Sequence, residues 1–146
     1  MAECFVLVKE KYKKVCKRYI SITGAEIEED NGDEIICDDM QFEARNGWCL
    51  ITLLCEDSFA EEILLKLSNG KKLLYFYSDD ALMDCEFLVI DRNAILRKKY
   101  IYAHTPELNE DEGNLKCEKD KEFVYWNDID YFAEIARETP DKLFEI

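Results

Sequence analysis

The sequence is short of the residues from which most catalytic and cofactor sites are built. It has one histidine, His104, together with only five glycines and two prolines. A nucleophilic triad would need His104, which lies beside Thr105 at the end of a predicted strand, and no signature around any cysteine marks a nucleophile. No glycine-rich phosphate loop and no internal repeat is present. We therefore expect a protein that is not an enzyme and needs no cofactor, with His104 as a structural surface residue.

Long apolar runs are also missing. No segment approaches the roughly 20 apolar residues that cross a bilayer, and the first residues lack the basic and apolar parts of a secretory signal. The seven cysteines are odd in number and scattered, without the Cys-x2-Cys pairs of zinc sites. Neither acidic turn, 28–33 or 109–113, matches an EF-hand loop. These absences predict a cytoplasmic protein with reduced thiols, no metal site and no membrane contact.

The chain has instead a large excess of acidic residues, 33 against 19 basic ones, for a net charge of −14. Such a surface repels phosphate backbones and anionic membranes and attracts cationic partners. We therefore expect no nucleic-acid binding and a basic protein as partner. Eight of the acids lie between Glu26 and Asp39 without a basic residue among them, which we interpret as a solvated rim.

The hydrophobic pattern predicts one domain over residues 1–146, with an α+β fold. Its sheet is expected to be an antiparallel meander of about five or six strands, because the connections are short, with helices packed mainly on one face. Asn46-Gly47 predicts a type I′ hairpin between strand-like runs. Further strands are predicted at 25–29, 34–37, 71–77, 85–91 and 94–103. Helices are predicted from Tyr12 to about Thr23, from Asp57 or Ser58 to Leu67, and from Asn127 or Asp128 to just before Pro140.

Two segments near the carboxyl end lack a clear periodic pattern. Residues 105–122 are predicted to form a long acidic loop, and the tail 140–144 is predicted to pack Leu143 and Phe144 onto the body. Residues 122–132 interleave aromatic and acidic side chains. Such a segment suits a binding face for a basic protein, but it equally suits core rings beside acids that solvate the start of a helix.

The second half of the chain contains a series of short motifs: Lys72-Leu-Leu-Tyr-Phe-Tyr-Ser-Asp-Asp80, Asp84-Cys-Glu-Phe-Leu-Val-Ile-Asp91, Leu96-Arg-Lys-Lys-Tyr100, Pro106-Glu-Leu-Asn109, Asp111-Glu-Gly113 and Trp126-Asn-Asp-Ile129. Together they resemble small bacterial immunity proteins of polymorphic-toxin systems, over a little under half of the chain. The resemblance implies a non-catalytic protein that occludes the active site, or a neighbouring surface, of a toxin domain. A basic nuclease-type toxin suits the negative charge, since nucleases carry lysine and arginine for phosphate contacts.

On this hypothesis the partner-binding residues are exposed acids with one or two aromatic anchors: Asp79, Asp80, Glu107, Glu110, Asp111, Glu112, Trp126, Asp128 and Asp130. The protein itself is expected to be a monomer or weak dimer. The main alternative is an intracellular adaptor or regulatory scaffold without catalytic activity. A hydrolase is the third possibility, and it would need Asp79, Asp84 and Glu86 to converge with His104 in a pocket.

Overall fold

The computed structural model describes residues 2–55 and 57–145. Within them the chain forms one antiparallel sheet of nine strands and three α-helices. The strands are β1 (Ala2–Val8), β2 (Ile27–Asp30), β3 (Glu34–Cys37), β4 (Met40–Arg45), β5 (Trp48–Leu53), β6 (Leu73–Asp79), β7 (Asp84–Asp91), β8 (Ala94–Tyr102) and β9 (Glu110–Gly113). The helices are α1 (Tyr12–Thr23), α2 (Glu61–Ser68) and α3 (Ile129–Glu138), with 3₁₀ helices at Pro106–Leu108, Lys116–Lys119, Trp126–Asp128 and Pro140–Phe144.

The order of the strands in the sheet is β2-β3-β4-β5-β1-β6-β7-β8-β9. The α+β fold and the antiparallel sheet are confirmed, but the predicted size of five or six strands is wrong. Strand β1 was missed because Cys4–Val8 are buried throughout, so the alternation that marks a half-exposed strand is absent. Strand β9 was missed because it consists of three acids and a glycine, all exposed. The first strand also interrupts the meander, since it lies between β5 and β6.

Helices cover both faces of the sheet, two on one face and one on the other, whereas we expected them mainly on one face. Helices α1 and α2 pack on one face, where Val15 and Leu64 join the core. Helix α3 and the tail pack on the other, where Phe132 and Leu143 are fully buried. The central strands require this, because strands apolar on both sides need cover on both sides. Among the described residues no helix is long and apolar enough to span a membrane.

Local signals placed several elements correctly. The Asn46-Gly47 turn has φ of 49° and 83°, as a type I′ hairpin requires. Helix α1 ends at Thr23, with Gly24 in the left-handed region. Helix α2, however, begins at Glu61 rather than at Asp57 or Ser58. The backbone N–H of Phe59 donates to the hydroxyl of Tyr75 at 3.0 Å, so a tertiary contact takes up a group that an N-cap side chain at Asp57 would otherwise bind.

The predicted long loop 105–122 is partly ordered as β9. Its carboxylates pair with the lysines of β8, Lys98 Nζ with Glu110 at 3.1 Å and Lys99 Nζ with Asp111 at 2.7 Å. Gly113 ends the strand at a φ of 80°, and a Cβ there would lie 2.1 Å from the carbonyl oxygen of Leu96. Ion pairs and close backbone packing against β8, rather than apolar burial, therefore hold β9 in the sheet. The tail behaves as predicted, since Leu143 is buried and Phe144 stacks on Trp48 with ring centroids 5.8 Å apart.

Candidate functional site

The pairing register divides the connections between strands into two groups, one at each end of the sheet. At one end Ala2 pairs with Asp79, and at the other Val8 pairs with Leu73. We call the first end the acidic end; it comprises residues 24–27, 38–39, 54–55, 57–60, 79–84 and 103–109. We call the second the basic end; it comprises residues 9–14, 31–33, 45–48, 69–72 and 92–93.

The two ends differ sharply in charge. The acidic end has no lysine or arginine in any of its segments. Its carboxylates come from five separate parts of the chain. Within the described residues none of the following has an ion pair with a lysine or arginine: Glu26, Asp38, Asp39, Asp57, Asp79, Asp84 and Glu107. Among the described residues, no lysine or arginine therefore neutralises these seven carboxylates.

Exposed apolar side chains collect at the same end. Seven large hydrophobic residues are exposed in the described part of the chain, and five of them lie at the acidic end: Ile27, Leu54, Leu82, Met83 and Leu108. The exposed fraction ranges from 38% for Met83 to 59% for Leu108. Apolar side chains surrounded by charged ones are typical of protein-binding surfaces, where the apolar groups supply desolvated contact and the charges form the rim.

A cavity of about 280 Å³ opens at this end, between α1, α2 and the turn that joins β3 to β4. Asp38, Asp39 and Asp57 line it together with the rings of Tyr19 and Phe59. The hydroxyl of Tyr19 donates to Asp38 at 3.2 Å, and burial together with this carboxylate raises the pKa of Tyr19 to about 12. The tyrosine thus stays a neutral donor. Carboxylates beside aromatic rings are a suitable environment for the head and stem of a lysine or arginine.

The predicted binding residues fall into separate groups in the structure. Asp79, Asp80 and Glu107 belong to the acidic end, where Asp80 and Glu107 are exposed as predicted and Asp79 is half-buried. Asp79 also orders its own turn, because its carboxylate accepts the N–H of Ala81 at 3.0 Å and of Leu82 at 3.3 Å. The three acids of β9 lie along the edge of the sheet instead: Glu110, Asp111 and Glu112.

Two of these edge acids are already paired within the molecule. Asp111 contacts both Arg97 and Lys99, and Glu110 contacts Lys98. Burial alone would raise the pKa of Asp111, but the hydrogen bonds from Lys99 and Arg97 lower it. The side chain of Arg97 is only 4% exposed and also binds Glu118 through two hydrogen bonds, Nε to Oε2 at 3.0 Å and Nη2 to Oε1 at 2.9 Å. The charge of β9 therefore serves chiefly to attach the strand.

In the aromatic segment 122–132 some of the apolar side chains lie in the core and others are exposed. Phe123 and Phe132 are buried in the core, whereas Val124 and Tyr125 are exposed. Trp126 is half-buried against the core of the α3 face, and Asp130 is exposed in the first turn of α3.

The interpretation of Asp128 as an exposed contact is wrong. Its side chain is buried, accepts the N–H of Val124 at 2.8 Å and of Tyr125 at 2.7 Å, and pairs with Lys121 at 3.0 Å. Burial alone would raise the pKa of Asp128, but these hydrogen bonds and the lysine lower it. Asp128 therefore fixes the start of α3.

Glu86 and His104, two of the residues that a hydrolase would need, lie in different environments. Glu86 is buried on the face covered by α1 and α2, where Tyr75 donates to its Oε1 at 2.6 Å and Tyr102 donates to its Oε2. His104 is exposed in the turn after β8. Both oxygens of Glu86 thus have donors from the protein. In residues 2–55 and 57–145 no group of three or more histidine, cysteine, aspartate or glutamate side chains is arranged to hold a metal ion.

We compared the chain with protein-family models, with curated proteins and with solved structures, and none of them matched. We therefore argue the function from the charge, exposure and geometry of the acidic end. The sequence analysis missed several residues there, among them Asp38, Asp39, Asp57, Leu54 and Leu82. Asp38-Asp39 carried a usable signal, because two aspartates between strand-like runs tolerate the positive φ of a two-residue hairpin turn. Their φ values in the structure are 51° and 57°.

Proposed function

We propose that the protein binds a basic protein through its acidic end and neutralises it, as an immunity protein does with its cognate toxin domain. One observation carries the proposal: the segments of this end contain no lysine or arginine and hold five of the seven large apolar side chains that are exposed in the described residues. A basic partner would supply the positive charge that these segments lack. It would also supply apolar groups that cover their exposed apolar side chains.

The electrostatics suit rapid capture of such a partner. Nine strands spaced about 4.8 Å apart make the end about 38 Å wide, which is the scale of a whole small-protein interface. Unpaired carboxylates along that width attract a cationic surface and raise the association rate by about 10- to 1,000-fold. Leu82 and Leu108 would then supply contacts that exclude water and slow dissociation.

The cavity at Asp38, Asp39 and Asp57 gives this surface a place for one long cationic side chain of the partner. A nuclease-type toxin carries lysines and arginines where it contacts phosphate. An inhibitor that engages those residues covers the substrate site without any bond-making step of its own. The resemblance of the second half of the chain to immunity proteins supports the same function.

A regulatory adaptor would use the same surface, so the identity of the partner decides between the two functions. We would capture partners of the tagged protein at low and at high salt and identify them by mass spectrometry. A basic toxin domain that kills cells when expressed alone, and does not when this protein is present, supports the immunity function. Capture of a non-toxic regulator supports the adaptor instead.

Variants then test the surface itself. Asp38→Asn, Asp39→Asn and Asp57→Asn together remove three charges, while asparagine tolerates the positive φ of the turn and keeps acceptors for Tyr19 and Ser58. We expect association with the captured partner to slow about tenfold at low salt and much less at high salt. The matched control neutralises Glu122, Glu134 and Glu138, which are exposed and lie outside the acidic end. Equal effects of the two triple variants would contradict the proposed surface.

A further inference from the structure

The basic end holds a groove that the proposed function does not use. It has a volume of about 470 Å³, a predominantly apolar lining, and walls formed by Tyr12, Ala44, Gly47 and Trp48 together with residues 10–11 and 13–14. Three exposed lysines line it, and none has an ion pair in the described residues: Lys11, Lys13 and Lys14. The groove therefore combines an apolar interior with uncompensated positive charge.

The start of α1 adds to that charge. Lys11 provides no side-chain hydrogen bond to the first turn, and the first turn contains no acidic residue. The first N–H groups of a helix carry partial positive charge, so Lys13 and Lys14 stand at the end of the helix where cations are unfavourable. A carboxylate brought to this groove would meet both the lysines and the unpaired N–H groups. The occupant that fits is an acidic segment with an apolar side chain at its tip.

The chain itself carries such a segment at its opposite end. The turn between β6 and β7 exposes Leu82 and Met83 between the carboxylates of Asp79 and Asp84. Strand β6 runs from the basic end at Leu73 to the acidic end at Asp79, and its seven residues cover about 20 Å. The turn thus cannot reach the groove of its own molecule, but it can reach the groove of another copy.

We propose that copies of this chain associate head to tail, with the 79–84 turn of one copy in the α1 groove of the next. Such contact is heterologous, so each copy has one free turn and one free groove and the assembly can grow. The contact also uses part of the acidic end, so a basic partner competes with it.

The association should depend on the ionic strength of the solution. Two copies of net charge −14 repel at low salt, where the Debye length is about 30 Å, whereas at about 0.15 M it falls to about 8 Å. The repulsion is then screened while the lysine–carboxylate contacts, a few ångströms long, remain. We expect sedimentation velocity near physiological salt to show a mass that rises with protein concentration and does not stop at the dimer.

Two variants separate the halves of the contact. The groove variant Lys13→Glu/Lys14→Glu also places favourable acids in the first turn of α1, so the helix is retained. The turn variant Leu82→Ser/Met83→Asn removes the apolar tip, and asparagine accepts the φ of 55° at position 83. We expect each variant alone to sediment as a monomer of 17.2 kDa. The control Lys116→Glu/Lys119→Glu makes the same charge change on exposed residues outside the groove and should associate as the wild type does.

Mixing the two variants is the decisive measurement. The turn variant keeps its groove and the groove variant keeps its turn, so one intact contact forms and the mixture gives a dimer of twice 17.2 kDa and nothing larger. A misfolded variant cannot complement the other, so this dimer also shows that both are folded. The proposal is overturned if the wild type stays monomeric at millimolar concentration, if either variant alone associates, or if the mixture remains monomeric.

Discussion

Replacement of Arg97 by alanine should be one of the most destabilising single changes in this protein. The guanidinium is almost fully buried and makes a two-point contact with Glu118, a further contact with Asp111, and hydrogen bonds to the carbonyl oxygens of Lys98 at 3.1 Å and Glu112 at 3.0 Å. Its loss leaves the carboxylate of Glu118, whose side chain is 9% exposed, in the protein interior without a cation. Breaking a buried pair in this way costs about 3–5 kcal/mol.

Urea unfolding followed by circular dichroism measures this cost. With a urea slope of about 2 kcal/mol per molar, the midpoint should fall by about 2 M. The exposed pair between Glu62 and Lys66 is the control, because Lys66→Ala breaks an i,i+4 pair worth at most about 0.5 kcal/mol.

Replacing both members of the pair should restore most of the stability that Arg97→Ala loses. Arg97→Met/Glu118→Gln removes the buried charge but keeps an acceptor for the N–H of Leu115, which donates to Glu118 at 2.7 Å. We expect the double variant to be more stable than Arg97→Ala, since replacing both members of a buried pair is often nearly neutral. The reasoning is refuted if Arg97→Ala costs no more than Lys66→Ala, or if the double variant is less stable than Arg97→Ala.

Three further predictions concern the acid response, strand β9 and the thiols. Because the pKa of Asp128 is lowered in the folded protein, its contribution to stability is present above the ordinary aspartate value of 3.8 and is lost as the pH falls below it. Asp128→Asn should therefore cost about 1–2 kcal/mol near neutral pH, with the difference in unfolding free energy shrinking below pH 3.8; an unchanged difference would contradict the assigned role. Gly113→Ala should detach β9 from β8, because its Cβ has no room beside Leu96, and hydrogen exchange in β9 should rise while that of the central strands stays slow. Of the seven cysteines only Cys55 is exposed, so a neutral maleimide should label Cys55 first and a bound basic partner should protect it; rapid labelling of Cys49, whose burial raises its pKa, would contradict the fold.

Some of the fold follows directly from local sequence. The hairpin at Asn46-Gly47 and the end of α1 at Gly24 depend on residues that tolerate positive φ, which a short motif reports reliably. Strand β1 and helix α2 show the limits of the same approach. Because β1 is buried on both faces, its sequence lacks the alternation of apolar and polar residues that marks a half-exposed strand. Tyr75 binds the N–H of Phe59, and α2 begins only at Glu61.

The candidate site was only partly predictable for a related reason. Asp79 and Glu107 were chosen as exposed acids and do lie at the acidic end, whereas Asp128 was chosen on the same grounds and is buried. The composition gives the number of acidic residues but does not show which of them lie beside a lysine or arginine. Asp111 and Asp39 each have an acidic neighbour in the sequence, yet Asp111 lies beside Arg97 and Lys99 while Asp39 lines an open cavity.

The charge of the protein, its turns, most of its strands and the amphipathic helix α1 can be predicted from the sequence, because these depend on residue type and on neighbours a few positions away. By contrast, the fold as a whole sets which carboxylates are neutralised and which loops share an end of the sheet. That division depends on the register of nine strands, and so on contacts between residues far apart in the chain. Five acidic segments become one surface only when the strands between them are aligned.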